Sequence, residues 1–398
     1  MSKFRDYKVK GEGDAQAIVE ALDVLEKVQS APTETFSPLH RIAAFLQSAE
    51  DREAFRFLRK HAIPRLIRVV TAKWDQQELR DDLMFCIQQL ALYQTEESVP
   101  VVVRAMHEWP DGYLWRSIMH FFAEQESPQA DLLIRTIGHN IPKGNSGVAY
   151  LECVNTRAHE YGMAPHPFAS ENGIRFLKDL LKDQESDNAI SAAVAIPFLP
   201  EAPRSELLSL ALEHSNWEVH LEAAWAMARV GNENGFKLMV ELSKDVHKFI
   251  RVARYLHELG RYYLLPFETQ SEDFQAMAEM SNWLQHPNEL GRVPDELIQV
   301  DTRKIFWPPT NDTRRVWLFR FSCKPADGAE PNEYELGVGM VGSVTWAMLE
   351  TSTASMKPEE VYALHCCWEL QQNDDDLAPE EIDIQAGLKI LRKYNPEM

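Results

Sequence analysis

Paired cysteines are missing from this chain, which has five Cys among 398 residues, an odd number with no regular spacing. A disulfide framework is therefore excluded, and scattered free thiols are typical of proteins in a reducing compartment. The first residues, MSKFRDYKVKGEGDAQ, lack the apolar core of a secretory leader, and no run of about 18 apolar residues occurs. We expect a cytoplasmic protein that does not enter the membrane.

Positive charge is also scarce, since 41 basic residues stand against 61 acidic ones and the net charge is −20. Such a chain repels nucleic acid and anionic membranes unless its basic residues are concentrated in one place. A protein that binds polyanions without specificity is therefore disfavoured.

The sequence signatures of common catalytic sites are absent as well. There is no GxSxG, no P-loop and no HExxH, and His159 and Glu160, followed by His166, do not have the spacing of a zinc protease. The sequence favours a protein that is not an enzyme, and it predicts no metal and no cofactor.

A repeat of about thirty residues is the main feature that the chain does contain. Three pairs of stretches match at a spacing of 29 or 31 residues: 219–231 with 248–260, 83–90 with 114–121, and 190–199 with 221–230. The members of a pair have small or larger apolar residues at corresponding positions, and both members of the first pair end in Gly. The small residues let neighbouring helices approach closely, and the Gly supplies the left-handed residue after a last turn. The segment 139–173 does not fit this register.

Each repeat is predicted to be a helix, a turn and a second helix. After Val219–Gly231 the second helix covers residues 235–244, and it is followed by Asp245 and, six residues later, by Arg251. These residues resemble a HEAT repeat, in particular the short bacterial HEAT-like repeats first described in phycobilisome lyases. The resemblance implies an α-solenoid in which stacking stabilises each unit and an Asp and Arg ladder ties adjacent turns together.

After Gly260 the repeat stops and the composition changes. Five of the ten Trp lie beyond residue 280, and RVWLFRFSC at 315–323 alternates like a half-buried strand. Helices are predicted at 274–285 and 358–371. The run from Trp283 through WPPTND and GMVGSVTWAML to HCCWEL is similar to a segment that follows HEAT repeats in uncharacterised bacterial proteins, and this likeness implies no particular activity.

At 398 residues the chain is longer than one typical domain. We predict a mainly α fold, a HEAT-like α-solenoid with a smaller C-terminal α+β domain. The predicted parts are an N-terminal helix and linker at 1–38, the helical repeats at 39–265, and the α+β domain at 274–398.

Two motifs in the C-terminal part could indicate a ligand or metal site, but each is better explained by a structural role. Gly337, Gly339 and Gly342 match a dinucleotide fingerprint, but no buried strand precedes them and no helix is predicted after them, which favours a glycine-bent hairpin. His365, Cys366 and Cys367 are consecutive in a helix, where side chains diverge by about 100° per residue, so they cannot converge on one metal. We expect buried thiols beside a hydrogen-bonded His.

Candidate binding residues come from one basic segment and one Trp. The segment 52–73 concentrates positive charge, and its candidates are Arg52, Arg56, Arg59, Lys60, Arg65 and Arg68. They form either a solvated helix face or a site for phosphate or an acidic partner. Trp307, before two prolines, either packs in the core or serves as an exposed anchor for a partner.

From these observations we expect a non-catalytic scaffold or adaptor that binds a protein partner in the groove of stacked helices. Recognition of nucleic acid or a phosphate ligand through the basic segment is an alternative. The resemblance to phycobilisome lyases implies another, a bilin lyase or chaperone. The oligomeric state is left open.

Overall fold

The computed structural model describes residue 9 and residues 11–26, 38–48, 52–124, 127–183, 188–324, 335–349, 351–373 and 375–398. Within these ranges the chain is mainly helical and contains one small antiparallel sheet of four strands. By compactness it divides into two units, residues 1–226 and 227–398. The domain boundary between 265 and 274 remains a prediction, and the predicted linker before Pro38 lies outside the described residues.

The first unit is built from helices alone among its described elements. They are α1 (Gly11–Leu25), α2 (Pro38–Gln47), α3 (Arg52–His61), α4 (Ile63–Ala72), α5 (Arg80–Tyr93), α6 (Ser98–Glu108), α7 (Trp115–Ala123), α8 (Pro128–Gly138), α9 (Gly144–Glu160), α10 (Glu171–Lys182), α11 (Asn188–Ala195), α12 (Glu201–Leu212) and α13 (Trp217–Arg229), which runs into the second unit. Pro64 divides the basic segment 52–73 into α3 and α4, because proline is tolerated only in the first turn of a helix.

Alternate helices of this unit pack against one another. Helix α5 contacts α7, α7 contacts α9 and α9 contacts α11, while α4 contacts α6, α6 contacts α8 and α10 contacts α12. Consecutive helices such as α5 and α6, or α10 and α11, also pack together. The segment 139–173 had no clear place in the sequence repeat, yet its helix α9 continues the series between α7 and α11.

Side chains at helix ends satisfy carbonyls at the ends of neighbouring helices. The Tyr93 hydroxyl donates to the Leu46 carbonyl at 2.8 Å, and the Gln94 amide donates to the Phe121 carbonyl at 2.6 Å. The Tyr161 hydroxyl donates to Glu124 in the same manner, at 2.7 Å. Since the last four carbonyls of a helix have no partner inside it, these bonds join neighbouring helices and fix their spacing.

The second unit combines helices with the sheet. Its elements are α14 (Glu233–Leu242), α15 (Phe249–Glu258), α16 (Glu272–Leu284), β1 (Glu296–Trp307), β2 (Asp312–Cys323), β3 (Glu335–Val341), β4 (Trp346–Met348), α17 (Thr351–Ala354), α18 (Pro358–Gln372) and α19 (Ile384–Tyr394). The strands follow one another as an antiparallel meander in the order β1-β2-β3-β4. The predicted helices 274–285 and 358–371 are confirmed as α16 and α18, whereas β1 and α19 were not predicted.

Both faces of the sheet are covered, which corrects the expectation of a half-buried strand. On one face Val316 and Leu318 of β2 belong to a core that includes Val361 and Leu391 of α18 and α19. On the other face Phe319 joins residues of α16 in a second core. Apolar residues are therefore needed at both odd and even positions of β2, and the simple alternation is lost.

Candidate functional site

The basic segment is largely paired with the first helix. Helix α1 packs against α3 and α4, and carboxylates at and just after its C-terminal end meet the guanidinium groups of α4. Arg65 Nε lies 2.7 Å from Asp23 Oδ1, and Arg68 Nε lies 2.9 Å from Glu26 Oε1. The bond to Glu26 raises the pKa of Arg68. Two of the six basic candidates are therefore neutralised within the fold.

The other basic candidates lie on α3 and separate into two groups. Arg59 Nη2 donates to the Gln94 carbonyl at 2.9 Å, so its guanidinium ties α3 to the end of α5. Arg52, Arg56 and Lys60 are exposed and follow one face at intervals of four residues. Among the described residues, no carboxylate lies within ion-pair distance of these three, and they are what remains of the predicted basic surface.

Trp307 is a core residue and cannot be an exposed anchor. Its side chain is 0% exposed, and its indole Nε1 donates to Glu369 Oε2 at 2.9 Å. The pocket that receives it lies between the sheet and α18, where the hydroxyl of Ser343 also donates to Glu369 at 2.7 Å. The anchor role is therefore wrong, and the alternative of core packing is what the structure shows.

His365 lies in the same buried cluster, surrounded by rings. Its imidazole centroid is 5.2–5.6 Å from those of Trp307, Trp346 and Trp368, and its Nε2 is 3.4 Å from Glu369 Oε2. Burial lowers the pKa of His365, so the ring is neutral near neutral pH. All five Cys are buried and unpaired, as expected, and no group of three potential ligands able to hold a metal occurs among the described residues.

The glycine motif belongs to the antiparallel strand β3. Gly339 pairs with Phe319 of β2, and a side chain placed on it would meet the sulfur of Met280 in α16. A side chain placed on Gly337 would meet the ring of Phe321 in β2 and the carbonyl of Met348 in β4. The glycines let the neighbouring strand and helix approach the sheet, and no helix N-terminus follows β3 to hold a pyrophosphate. A dinucleotide site is excluded here.

A cleft at the N-terminal ends of three helices that pack in series is a candidate site. It has a volume of about 280 Å³ and is lined by Gly112, Tyr113, Trp115, Arg116, Asn145, Val148 and Asn188. These residues come from the loop before α7 and from the first turns of α7, α9 and α11. We call it the α7–α9–α11 cleft.

Polar contacts hold the walls of this cleft in place. Arg116 Nε lies 3.2 Å from Glu152 Oε2, and Arg116 Nη2 donates to Asn188 Oδ1 at 3.0 Å. The Asn145 amide donates to the Asp111 carbonyl at 3.3 Å. One guanidinium thus joins α7 to both α9 and α11, and the cleft is fixed by the same stacking that builds the fold.

The chemistry of the α7–α9–α11 cleft suits binding. Tyr113 is 61% exposed, and burial together with the charges of Asp81 and Asp82 raises the pKa of its phenol, which stays protonated and can donate. The amides of Asn145 and Asn188 each carry donors and an acceptor, the same pair of functions as a peptide group. The lining contains neither a thiol nor an imidazole to act as a nucleophile or a general base.

The sequence did not predict this cleft. Its lining residues are spread over more than seventy positions, and none of them forms a local motif. An available signal was the stretch DGYLWR at 111–116, where α7 begins, which interrupts the apolar pattern of the repeat.

No protein-family profile, curated protein or solved structure matches the chain. None of the described helices is both long enough and apolar enough to cross a membrane.

Proposed function

We propose that this protein is a non-catalytic scaffold whose helical part is a HEAT-like solenoid and binds a protein partner. The observation that carries the proposal is the succession of contacts from α5 through α7 and α9 to α11, which places the α7–α9–α11 cleft on stacked helices. Stacked helix pairs produce extended curved surfaces, and such surfaces are the usual binding sites of repeat proteins.

The size and lining of the cleft favour a peptide segment as the bound group. At about 280 Å³ it is near the lower limit of small-molecule pockets, so it accommodates one or two side chains of a partner. Tyr113 provides an exposed ring next to the amide of Asn145, and aromatic residues are enriched in the centres of protein interfaces. The partner's backbone would donate a hydrogen bond to Asn145 Oδ1, because the amide nitrogen of Asn145 is already bonded to Asp111.

The test is capture from a lysate of the native cell, with bound proteins quantified by mass spectrometry. The immobilised full chain is compared with the double variant Tyr113→Ala/Asn145→Ala, in which the ring and one amide of the cleft are removed. We expect a small set of proteins to be enriched on the wild-type chain and depleted by about tenfold on the variant, as truncation of central interface residues typically does.

The matched control is Asn172→Ala/Leu212→Ala, which removes an exposed amide from α10 and an exposed apolar side chain from α12. It should capture the same set as the wild-type chain. Capture is repeated after nuclease treatment, and enrichment that disappears would assign binding to nucleic acid instead. Equal capture by the wild-type chain and the cleft variant would refute the proposal for this cleft.

A further inference from the structure

Strand β1 lies at the edge of the sheet. Among the described strands it has β2 on one side and no neighbour on the other. Near its end the side chain of Asn395 takes the place of a neighbouring strand. The Phe306 amide donates to Asn395 Oδ1 at 2.8 Å, and Asn395 Nδ2 donates to the Phe306 carbonyl at 2.9 Å. The backbone groups of Phe306 therefore point away from β2.

The direction of Phe306 determines which other residues of β1 point outward. Backbone groups of a strand point alternately towards and away from its antiparallel neighbour, and Phe306 lies opposite Thr313. The β1 residues opposite positions 315, 317, 319 and 321 of β2 therefore point outward as well. They are Lys304, Thr302, Gln299 and Leu297, and we call their outward backbone groups the free edge. Among the described residues, no backbone group outside the sheet bonds to these four.

A β-bulge gives the free edge an irregular spacing. Gln299 lies opposite Phe319 and Asp301 lies opposite Leu318, so Val300 is the extra residue of the bulge. The outward residues are two positions apart on each side of the bulge, but three positions apart across it. A regular strand has outward groups at every second residue, so it could pair with only one half of this edge. Bulges protect many sheet edges from pairing in this way.

A second copy of β1 carries the same irregularity at the matching place. Let two copies run antiparallel about a twofold axis that passes between Val300 and Asp301. Gln299 of one copy then lies opposite Thr302 of the other, and Leu297 lies opposite Lys304. Every outward residue faces an outward residue, so each pair can exchange two backbone hydrogen bonds, as in a regular antiparallel ladder. The bulge that excludes a regular strand therefore accepts a copy of itself.

The apolar and polar side chains of the edge match in the same arrangement. Ile298 is 54% exposed, and it would lie opposite Arg303 of the other copy, whose aliphatic stem would cover it. The Gln299 amide would lie opposite the Thr302 hydroxyl on the other face of the sheet. Pairs of side chains directly opposite each other are what stabilises antiparallel strands.

The charges of the edge also suit pairing between copies. Glu296 and Asp301 are balanced by Arg303 and Lys304, although the whole chain has a net charge of −20. Two copies of Asp301 would approach each other near the axis, but each is neutralised by Arg303, whose Nε lies 2.7 Å from Asp301 Oδ2. Glu296 would lie diagonally across from Arg303 of the other copy, and such opposite charges attract.

We propose that the free edge of β1 binds the free edge of a second copy of the chain, so that two four-stranded sheets join into one continuous antiparallel sheet. The observation that carries the inference is the match between the bulged edge and its own twofold copy. The inference does not depend on the proposed scaffold function or on the α7–α9–α11 cleft.

The first experiment is sedimentation velocity of the full chain and of Thr302→Pro over a range of concentrations. Because the Thr302 amide points outward, proline removes a donor of the free edge without removing a bond to β2. We expect the wild-type chain to dimerise and the dissociation constant to rise by about tenfold or more in Thr302→Pro, since the dimer loses one backbone bond at each Thr302.

The matched control is Thr302→Val, which keeps the backbone amide. Like the proline variant it loses the hydroxyl, which bonds to the Val316 carbonyl at 3.1 Å. It should dimerise as tightly as the wild-type chain. The melting temperatures of the two variants show whether a loss of dimer is a loss of folding.

The second experiment tests the register, and it does not require the proline variant to fold. Gln299→Cys and Thr302→Cys are prepared as separate proteins and oxidised alone or mixed. Opposite residues of such a pair have Cα atoms about 5.5 Å apart, a separation that a disulfide can bridge. We expect a disulfide-linked dimer in the mixture at several times the yield of either variant alone, because neither position faces its own copy. The five native Cys are buried and should not compete.

Three results would overturn the inference. The first is a wild-type chain that stays monomeric at about 100 μM. The second is a dimer that Thr302→Pro leaves equally stable, or one whose cross-linking yield is no higher in the mixture than in the single variants, since its contact would then lie elsewhere. The third is a monomer that captures lysate proteins which Thr302→Pro no longer captures, and this result would assign the free edge to a strand of another protein.

Discussion

Acidification should destabilise this protein through His166, a buried histidine at the start of a short turn before α10. The ring is 2% exposed, its Nδ1 accepts a hydrogen bond from the Phe168 amide at 3.3 Å, and its Nε2 lies 3.2 Å from Asn155 Oδ1. Since a backbone amide can only donate, Nδ1 must be unprotonated and the proton resides on Nε2. A second proton on Nδ1 would oppose the Phe168 amide and charge a buried ring.

Burial lowers the pKa of His166 from 6.5 to about 4. The unfolded chain therefore binds this proton before the folded chain does, so the stabilising contribution is complete above about pH 6.5 and is lost as the pH falls towards about 4. Each pH unit in that interval corresponds to about 1.4 kcal/mol. Between pH 7.5 and pH 5 the free energy of unfolding should fall by about 2 kcal/mol on account of this residue.

The assay is urea unfolding, followed by circular dichroism, of the wild-type chain and His166→Asn at both pH values. The Asn side chain can still accept from the Phe168 amide but does not titrate. His247 and His365 also have lowered pKa values and contribute to the pH dependence of both proteins, so the difference between the two proteins isolates His166. His120→Asn, at an exposed position, should behave like the wild-type chain. An identical loss of stability in His166→Asn would refute the reasoning.

Two other predictions concern the second unit. Gly337→Ala should lower the free energy of unfolding by about 1–3 kcal/mol, because the new methyl group would lie 2.5 Å from the Met348 carbonyl; thermal unfolding measures this. Trp307→Phe should cost about 2–3 kcal/mol in urea unfolding, because the buried carboxylate of Glu369 loses the indole donor.

Matched substitutions separate these effects from general damage. Gly13→Ala in α1, where a methyl group meets nothing within 4 Å, should raise stability by about 0.5–1 kcal/mol. Trp283→Phe, at a ring that is 37% exposed, should change it by less than about 1 kcal/mol. Equal effects of Gly337→Ala and Gly13→Ala, or of the two Trp substitutions, would contradict the packing and hydrogen-bond arguments.

Much of the helical architecture followed from periodicity. Apolar residues spaced at three and four positions marked α5, α7, α13 and α18, because a helix must bury one stripe against its neighbours. An element boundary with a local cause was also predicted, the end of α15 at Gly260. Strand β1 was missed because Glu, Gln, Asp, Arg and Lys occupy much of it, and its pairing with β2 decides its conformation.

The sequence alone determined the helical class of the chain, its unpaired thiols and its acidic character, since these depend on composition and on spacing within one helix. Only the tertiary structure decided the fate of individual side chains. It turned Trp307 into a core residue, paired Arg65 with Asp23, and assembled the α7–α9–α11 cleft from residues more than seventy positions apart. The physical reason is that burial and ion pairing depend on what a distant segment places opposite a residue, which local sequence does not encode.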